Sequence, residues 1–270
     1  LATFSAPAQV PSDCTIPADL DSVYARDIAN MAVRRMIDLN HPDMAYVHIP
    51  QAWKDAIGGG LAAIFNAVSL PERDTIFNLY CVHDNTSYPE THNELLVKVD
   101  TNFSWTQAWQ NLQTLTGNPF IDEMMTTYFM EVTEFYNWSF GNYAVLHTDM
   151  IWNTFALMDS LEIAPGIIYC EPNSIIGDAG KIHFSTQGTD RYFDFYFEFN
   201  DCFDGCDNYR KWQFMVTSDS KSATSALRIG VCLESNLCRN RSTAIHLLRP
   251  AGRLYRNNLA SFQILRQTGL

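Results

Sequence analysis

No stretch of this 270-residue chain stays apolar over the roughly 18 residues that a bilayer-spanning helix needs, so a helical membrane span is excluded. Basic residues are scarce through most of its length. Residues 1–227 hold 11 Lys and Arg against 29 Asp and Glu, and this balance of −18 works against a nucleic-acid partner. Several catalytic signatures are missing too. There is no Gly-x-Ser-x-Gly elbow, which weakens an α/β-hydrolase reading. Gly58, Gly59 and Gly60 have no strand before them and no Lys-Ser/Thr after them, so they do not form a phosphate loop. Cys202 and Cys206 are spaced C-x3-C rather than the C-x2-C usual in zinc knuckles. The first residue is Leu1 and no signal-peptide pattern follows, as a processed or trimmed N-terminus would look.

What is present is the material of a globular core, with 47% hydrophobic and 18% charged residues. Charge is divided unevenly. Residues 228–270 carry seven Arg and one acid, Glu234, and the simplest partner for that basic tail is the acidic body. Seven cysteines leave at least one unpaired within a single chain. The Phe-Asp-Gly between Cys202 and Cys206 reads as a tight turn, so a local disulfide is expected there, and with it an oxidising compartment.

Periodicity divides the chain into five parts. Residues 1–18 read as an extended lead-in and residues 19–92 as a helical segment with one strand. In that segment Leu20, Val23, Tyr24, Ile28, Met31 and Met36 mark one helix, with Asp19 or Asp21 as its cap. Trp53, Ile57, Leu61, Ile64, Phe65 and Val68 mark a second that starts near Pro50, with the three glycines inside its stripe. Close packing of a neighbour, or a break between two helices, would account for them. Residues 75–83 read as a strand, and Asp84 to His92 as a polar, solvated loop.

Residues 93–173 follow the order β-α-β-β-α-β, the ferredoxin-like arrangement. Its strands are expected at 94–100, 129–138, 143–148 and 167–171, with Ser104 capping the first helix and Gly141-Asn142 turning the central hairpin. Residues 174–217 then read as an antiparallel meander. Phe193, Phe195, Phe197 and Phe199 share one face of it, and the Cys202–Cys206 loop closes it. Residues 218–270, the basic tail, have no assignable fold. The fold class is therefore α+β.

Few residues suggest chemistry. His83, His92 and Glu94 are weak candidates for a divalent metal site or a general acid and base, although their spacing matches no metal motif. His147 and Asp149 form a second weak metal pair, for which a capping Asp beside a structural His is the simpler reading. Cys81 and His83 would share a strand face, but a thiol nucleophile also needs an orienting Asn or Asp, and a buried Cys is the default. Trp105, Trp109, Trp138, Trp152 and Trp212 would line a carbohydrate or peptide groove if exposed; their positions on apolar stripes favour the core. No cofactor is expected.

Two resemblances follow from these motifs. The block Ile168-Tyr-Cys-Glu-Pro-Asn173, which closes the β-α-β-β-α-β unit, is similar to the last strand of the propeptide domains of subtilisin-like proteases. That likeness implies an inhibitor that lays the segment after its last strand in a protease groove. Leu95 to Asp100, the Trp105 helix, Thr116-Gly-Asn-Pro119, the same Ile168 block, Gly177-Asp-Ala-Gly180 and the Cys202–Cys206 loop through Trp212 together resemble an uncharacterised family of exported Bacteroidota-type proteins. The likeness spans about 75–217 and implies export and the Cys202–Cys206 bridge. The family's G-D-C-P-x-G-C loop is Asn200-Asp-Cys-Phe-Asp-Gly-Cys206 here, and no sorting domain is recognisable after Thr217.

The expected protein is thus extracellular or at the cell surface, non-catalytic, and engaged with a protein partner or with copies of itself through sheet edges or the tail. A propeptide-like inhibitor and a metal-dependent hydrolase built on His83, His92 and Glu94 are the alternatives.

Overall fold

A computed structural model describes residues 9–85, 89–174, 180–199, 208–217 and 225–230. Strand β1 (Gln9–Ser12) leads into helix α1 (Ala18–Asp38), whose fixed-φ Pro17 sits at the N-cap. Asp19 and Asp21 do not cap α1; they lie in its first turn, where they complement the helix dipole. A 3-10 turn (Pro42–Ala45) precedes helix α2 (Gln51–Phe65). The three glycines of α2 are places of close approach. A Cβ on Gly60 would sit 2.7 Å from Cζ of Phe193, one on Gly58 3.0 Å from Cδ1 of Ile16, and one on Gly59 3.7 Å from Arg191. They let α2 lie directly against the large sheet and the chain leading into α1.

The strand expected over 75–83 is absent. A single turn, α3 (Pro71–Asp74), continues into a π-helical turn at Thr75–Leu79, and Tyr80 to Asp84 run on without strand pairing. Its apolar residues are a buried helical pair, Ile76 and Phe77, not one face of a strand. Cys81 adopts φ +46° and is exposed, so neither the shared strand face nor burial holds for it.

The following elements are β2 (Glu94–Val99), α4 (Thr106–Gln110), α5 (Pro119–Thr127), β3 (Glu131–Trp138), β4 (Gly141–His147), α6 (Thr154–Leu161) and β5 (Ile167–Pro172). The four strands form one antiparallel sheet in the order β3-β4-β2-β5. Ser104 does not cap α4; Trp105 holds that position, and Leu112 lies beyond the helix, exposed at φ +55°. The hairpin turns at Ser139 and Phe140 rather than at Gly141-Asn142, which pair with Trp138 and Asn137. Leu95, Val97, Val99, Ala144 and Leu146 turn one face of this sheet towards Trp109, Ile121, Met125, Leu157 and Leu161 of the helices.

The second sheet has five strands, adding β6 (Gly180–Gln187), β7 (Asp190–Phe199), β8 (Asn208–Thr217) and β9 (Ser225–Gly230) to β1 in the order β1-β9-β8-β7-β6, all antiparallel. Gly188, at φ +62°, supplies the left-handed residue of the two-residue β6–β7 turn. Phe193 and Phe195 are fully buried against Ile57, Leu61 and Ile64 of α2 and Phe77. Phe197 packs at the margin, and Phe199 stacks on it at 5.9 Å. The large sheet is therefore covered by α1, α2 and the 75–79 turn. Part of the lead-in is strand, and so is the start of the basic tail, since Gln9–Ser12 pairs with Ser225–Arg228.

The expected Cys202–Cys206 bridge lies outside the described residues. Of the thiols within them, Cys81 and Cys170 are free. No described helix is long and apolar enough to cross a membrane.

Candidate functional site

The solvated loop expected over Asp84 to His92 is corrected at Asp84, Glu90 and Thr91: they enter a buried polar junction between α1 and the large sheet, with Asp84 4% exposed, Glu90 9% and Thr91 1%, while Asn85 is exposed. Helix α1 makes this possible by carrying Asp27, Asn30 and Arg34 at spacings of three and four, which places them along one side of the helix among Ile28, Met31 and Val33.

Arg34 is the hub. Its Nε and one terminal nitrogen donate to Glu90 Oε1 and Oε2 at 2.7 and 2.8 Å, a bidentate pair. The same terminal nitrogen donates to Asp84 Oδ2 at 2.8 Å, and the other reaches the carbonyl of Ile182 on β6 at 3.1 Å. Asp84 Oδ1 accepts the Ile182 amide at 3.3 Å. Asn30 accepts both the amide and the hydroxyl of Thr91 and donates to the Asp84 carbonyl. The Glu90 carbonyl accepts the Thr154 amide, and the Thr154 hydroxyl accepts the His92 amide, which ties the junction to α6. Gly180 leaves room for the His83 carbonyl, which a Cβ there would meet at 2.8 Å.

One turn earlier on α1, Asp27 holds His83. Oδ2 lies 2.9 Å from His83 Nδ1, Oδ1 accepts the Asp84 amide, and the imidazole stacks on Tyr24 at 4.5 Å. The hydrogen bond that His83 donates to Asp27 raises the imidazole pKa above its ordinary value against the opposing effect of burial. Burial lifts the carboxyls of Asp84 and Glu90, and Arg34 only partly offsets this. Burial by itself would lower the Arg34 guanidinium, but Glu90 and Asp84 hold it above its usual range. His183, beside the hub, is lowered by burial and by the nearby Arg34 charge.

The candidate ligands are dispersed. His83 belongs to Asp27. Burial lowers His92, whose Nδ1 accepts the amide of Glu94 at 3.0 Å, a contact that closes a local turn. Glu94 instead meets His147 across the β2–β4 pair: His147 Nδ1 is 3.8 Å from Glu94 Oε1, its Nε2 3.2 Å from Asp149, and Asn173 donates to Glu94 Oε2 at 2.7 Å. Asp149 does not cap α6; Asn153 does, by accepting the Ala156 amide. Among the described residues no three His, Cys, Asp or Glu side chains are placed to hold a metal ion.

Trp105, Trp109, Trp152 and Trp212 are buried. Trp138 is half-buried, on the face of the four-stranded sheet turned away from the helices. Tyr136 stacks on it at 4.7 Å with ring planes 9° apart, and Tyr143 lies 4.9 Å from it. The Tyr143 and Tyr169 hydroxyls are 3.2 Å apart, and Lys98 Nζ lies 5.4 and 5.6 Å from the two ring centroids. Burial and the Tyr143 hydrogen bond push the Tyr169 phenol upward. Tyr143 and its neighbours Leu96 and Val145 belong to neither apolar core. Register pairs Tyr136 with Tyr143 and Tyr143 with Lys98, itself opposite Tyr169, so the row crosses all four strands.

In comparisons with family models, curated proteins and solved structures, the chain matches none.

Proposed function

We propose that this is an exported, non-catalytic binding protein that associates with copies of itself through the aromatic face of the four-stranded sheet. The observation that carries the reading is the row Tyr136–Tyr143–Lys98–Tyr169 on the sheet face opposite the helices, in which Tyr143 is buried at 2% exposed and Tyr136 and Tyr169 stand half-buried at its two ends. Tyrosine and tryptophan are the residues most used at protein contacts, because each offers a large rigid ring with a polar tip. Phe140 and Ile168, 42% and 54% exposed, add apolar surface at its margins. The opposite charges of residues 1–227 and 228–270 support association between copies.

Sedimentation velocity over a hundredfold range of concentration tests the idea. The expected result is a concentration-dependent dimer or larger species, returned to monomer by Tyr136→Ser together with Tyr169→Ser. A monomer throughout would overturn it.

We assign residues 93–173 to the ferredoxin-like class. The support is the order of elements together with the sheet order β3-β4-β2-β5, in which the first and third strands of the unit are central and both helical connections cover one face. The same topology keeps propeptide-like inhibition as a second reading. It is tested by titrating a subtilisin-type protease, and full residual activity at micromolar protein would remove it.

A further inference from the structure

The junction around Arg34 contains more acid than base. Asp27, Asp84 and Glu90 have side chains only 6%, 0% and 11% exposed, and they share one guanidinium and one imidazole. With both of those charged, one negative charge remains in excess; with His83 neutral, two remain. Neither state is comfortable away from water, where uncompensated charge is costly.

We infer that the junction is a proton-operated clamp: on mild acidification it takes up protons at His83 and on the Asp84–Glu90 pair, and this tightens the hold of the 83–92 segment between α1 and β6. Each partner has a defined place in the clamp. Asp27 accepts from the Asp84 amide as well as pairing with His83, so one side chain ties both residues to α1. Arg34 spans the two carboxylates, and one proton on either leaves the other as its full counter-ion. The remaining charged groups around the cluster are His183 and Lys181 on β6, Asp194 opposite His183 on β7, His92, and Arg26 of α1, whose charge acts on His92. His183 and His92 are both driven towards the neutral form by burial, so neither supplies the missing positive charge.

The sign follows from linkage. His83, Asp84 and Glu90 all bind protons more readily folded than unfolded. Their contribution is complete below the unfolded values and is lost as pH rises through the folded ones. For the carboxyls that loss begins above the ordinary range near 4, and for His83 above 6.5. The clamp is thus firmer at pH 5.5 than at pH 8.

Residue-resolved amide exchange on the whole protein tests this. The reporters are Asp84, Thr91 and Ile182, whose amides are held within the cluster, with the β3–β4 hairpin as internal control. After correction for intrinsic chemistry, the reporters should exchange about tenfold faster at pH 8 than at pH 5.5, while the hairpin does not. Glu90→Gln, which keeps an acceptor for Arg34 and removes one surplus charge, should reduce the difference at least several-fold and leave only the part that His83 contributes. Equal protection at the two pH values in the unaltered protein overturns the proposal whether or not the variant folds. So does a variant that folds and keeps the full pH dependence.

Discussion

Asp27 uses its two carboxylate oxygens for two consecutive residues of one segment: Oδ2 sits 2.9 Å from the His83 imidazole, and Oδ1 accepts the backbone amide of Asp84. One helix side chain thereby fixes both a ring and the chain direction beside it. The His83 pKa, followed by NMR of its ring protons, should lie above 6.5 and drop towards or below that value in Asp27→Asn. Because the folded value is the raised one, the pair's stabilisation is full below 6.5 and fades as pH climbs through the folded pKa.

Removing Arg34 would strand two buried carboxylates. Arg34→Met should cost about 3–5 kcal/mol by urea denaturation at pH 7, the usual consequence of breaking a buried pair from one side. The loss should shrink at pH 5, where the carboxyls raised by burial accept protons.

Gly60 and Gly188 should respond very differently to alanine. A Cβ at Gly60 meets the fully buried Phe193 ring at 2.7 Å, so Gly60→Ala should destabilise by about 1–3 kcal/mol, as overpacking does. At Gly188 nothing lies within 4 Å, and only the φ of +62° opposes the change, so Gly188→Ala should cost about 1 kcal/mol.

Cys81 and Cys170 should separate by reactivity. Cys81 is exposed and should react with a maleimide in the native protein, whereas Cys170 is buried among Asp159, Glu162 and Glu171 and its thiol is pushed up by that burial. Mass spectrometry after brief labelling should find Cys81 modified and Cys170 untouched until denaturant is added.

The parts of the fold legible in the sequence are those with uninterrupted period. The alternation Leu95, Val97, Val99 specifies β2 and its buried face, and the row Phe193 to Phe199 specifies β7, whose face is buried at Phe193 and Phe195. The run from Thr75 to His83 fails because Ile76 and Phe77 are adjacent, and a short apolar run does not distinguish one helical turn from a strand. The polar junction is half-visible: His83 stands out, but its partner Asp27 lies 56 residues away in sequence, and Arg34 lies 50 and 56 residues from Asp84 and Glu90. The signal that could have found it is the set of polar residues at 27, 30 and 34 inside an apolar stretch of α1. Pairing of β1 with β9 left no local trace, since register between strands more than two hundred residues apart is not written in the periodicity of either.

That last pairing sets an order of events. Gln9 faces Arg228, so β1 leaves a ribosome with its sheet neighbour about two hundred residues behind it. During that wait β1 must be kept from premature partners, and long-range closure of this kind slows folding. A chain shortened at its beginning would leave the backbone of β9 open along its outer edge, the usual invitation to aggregation.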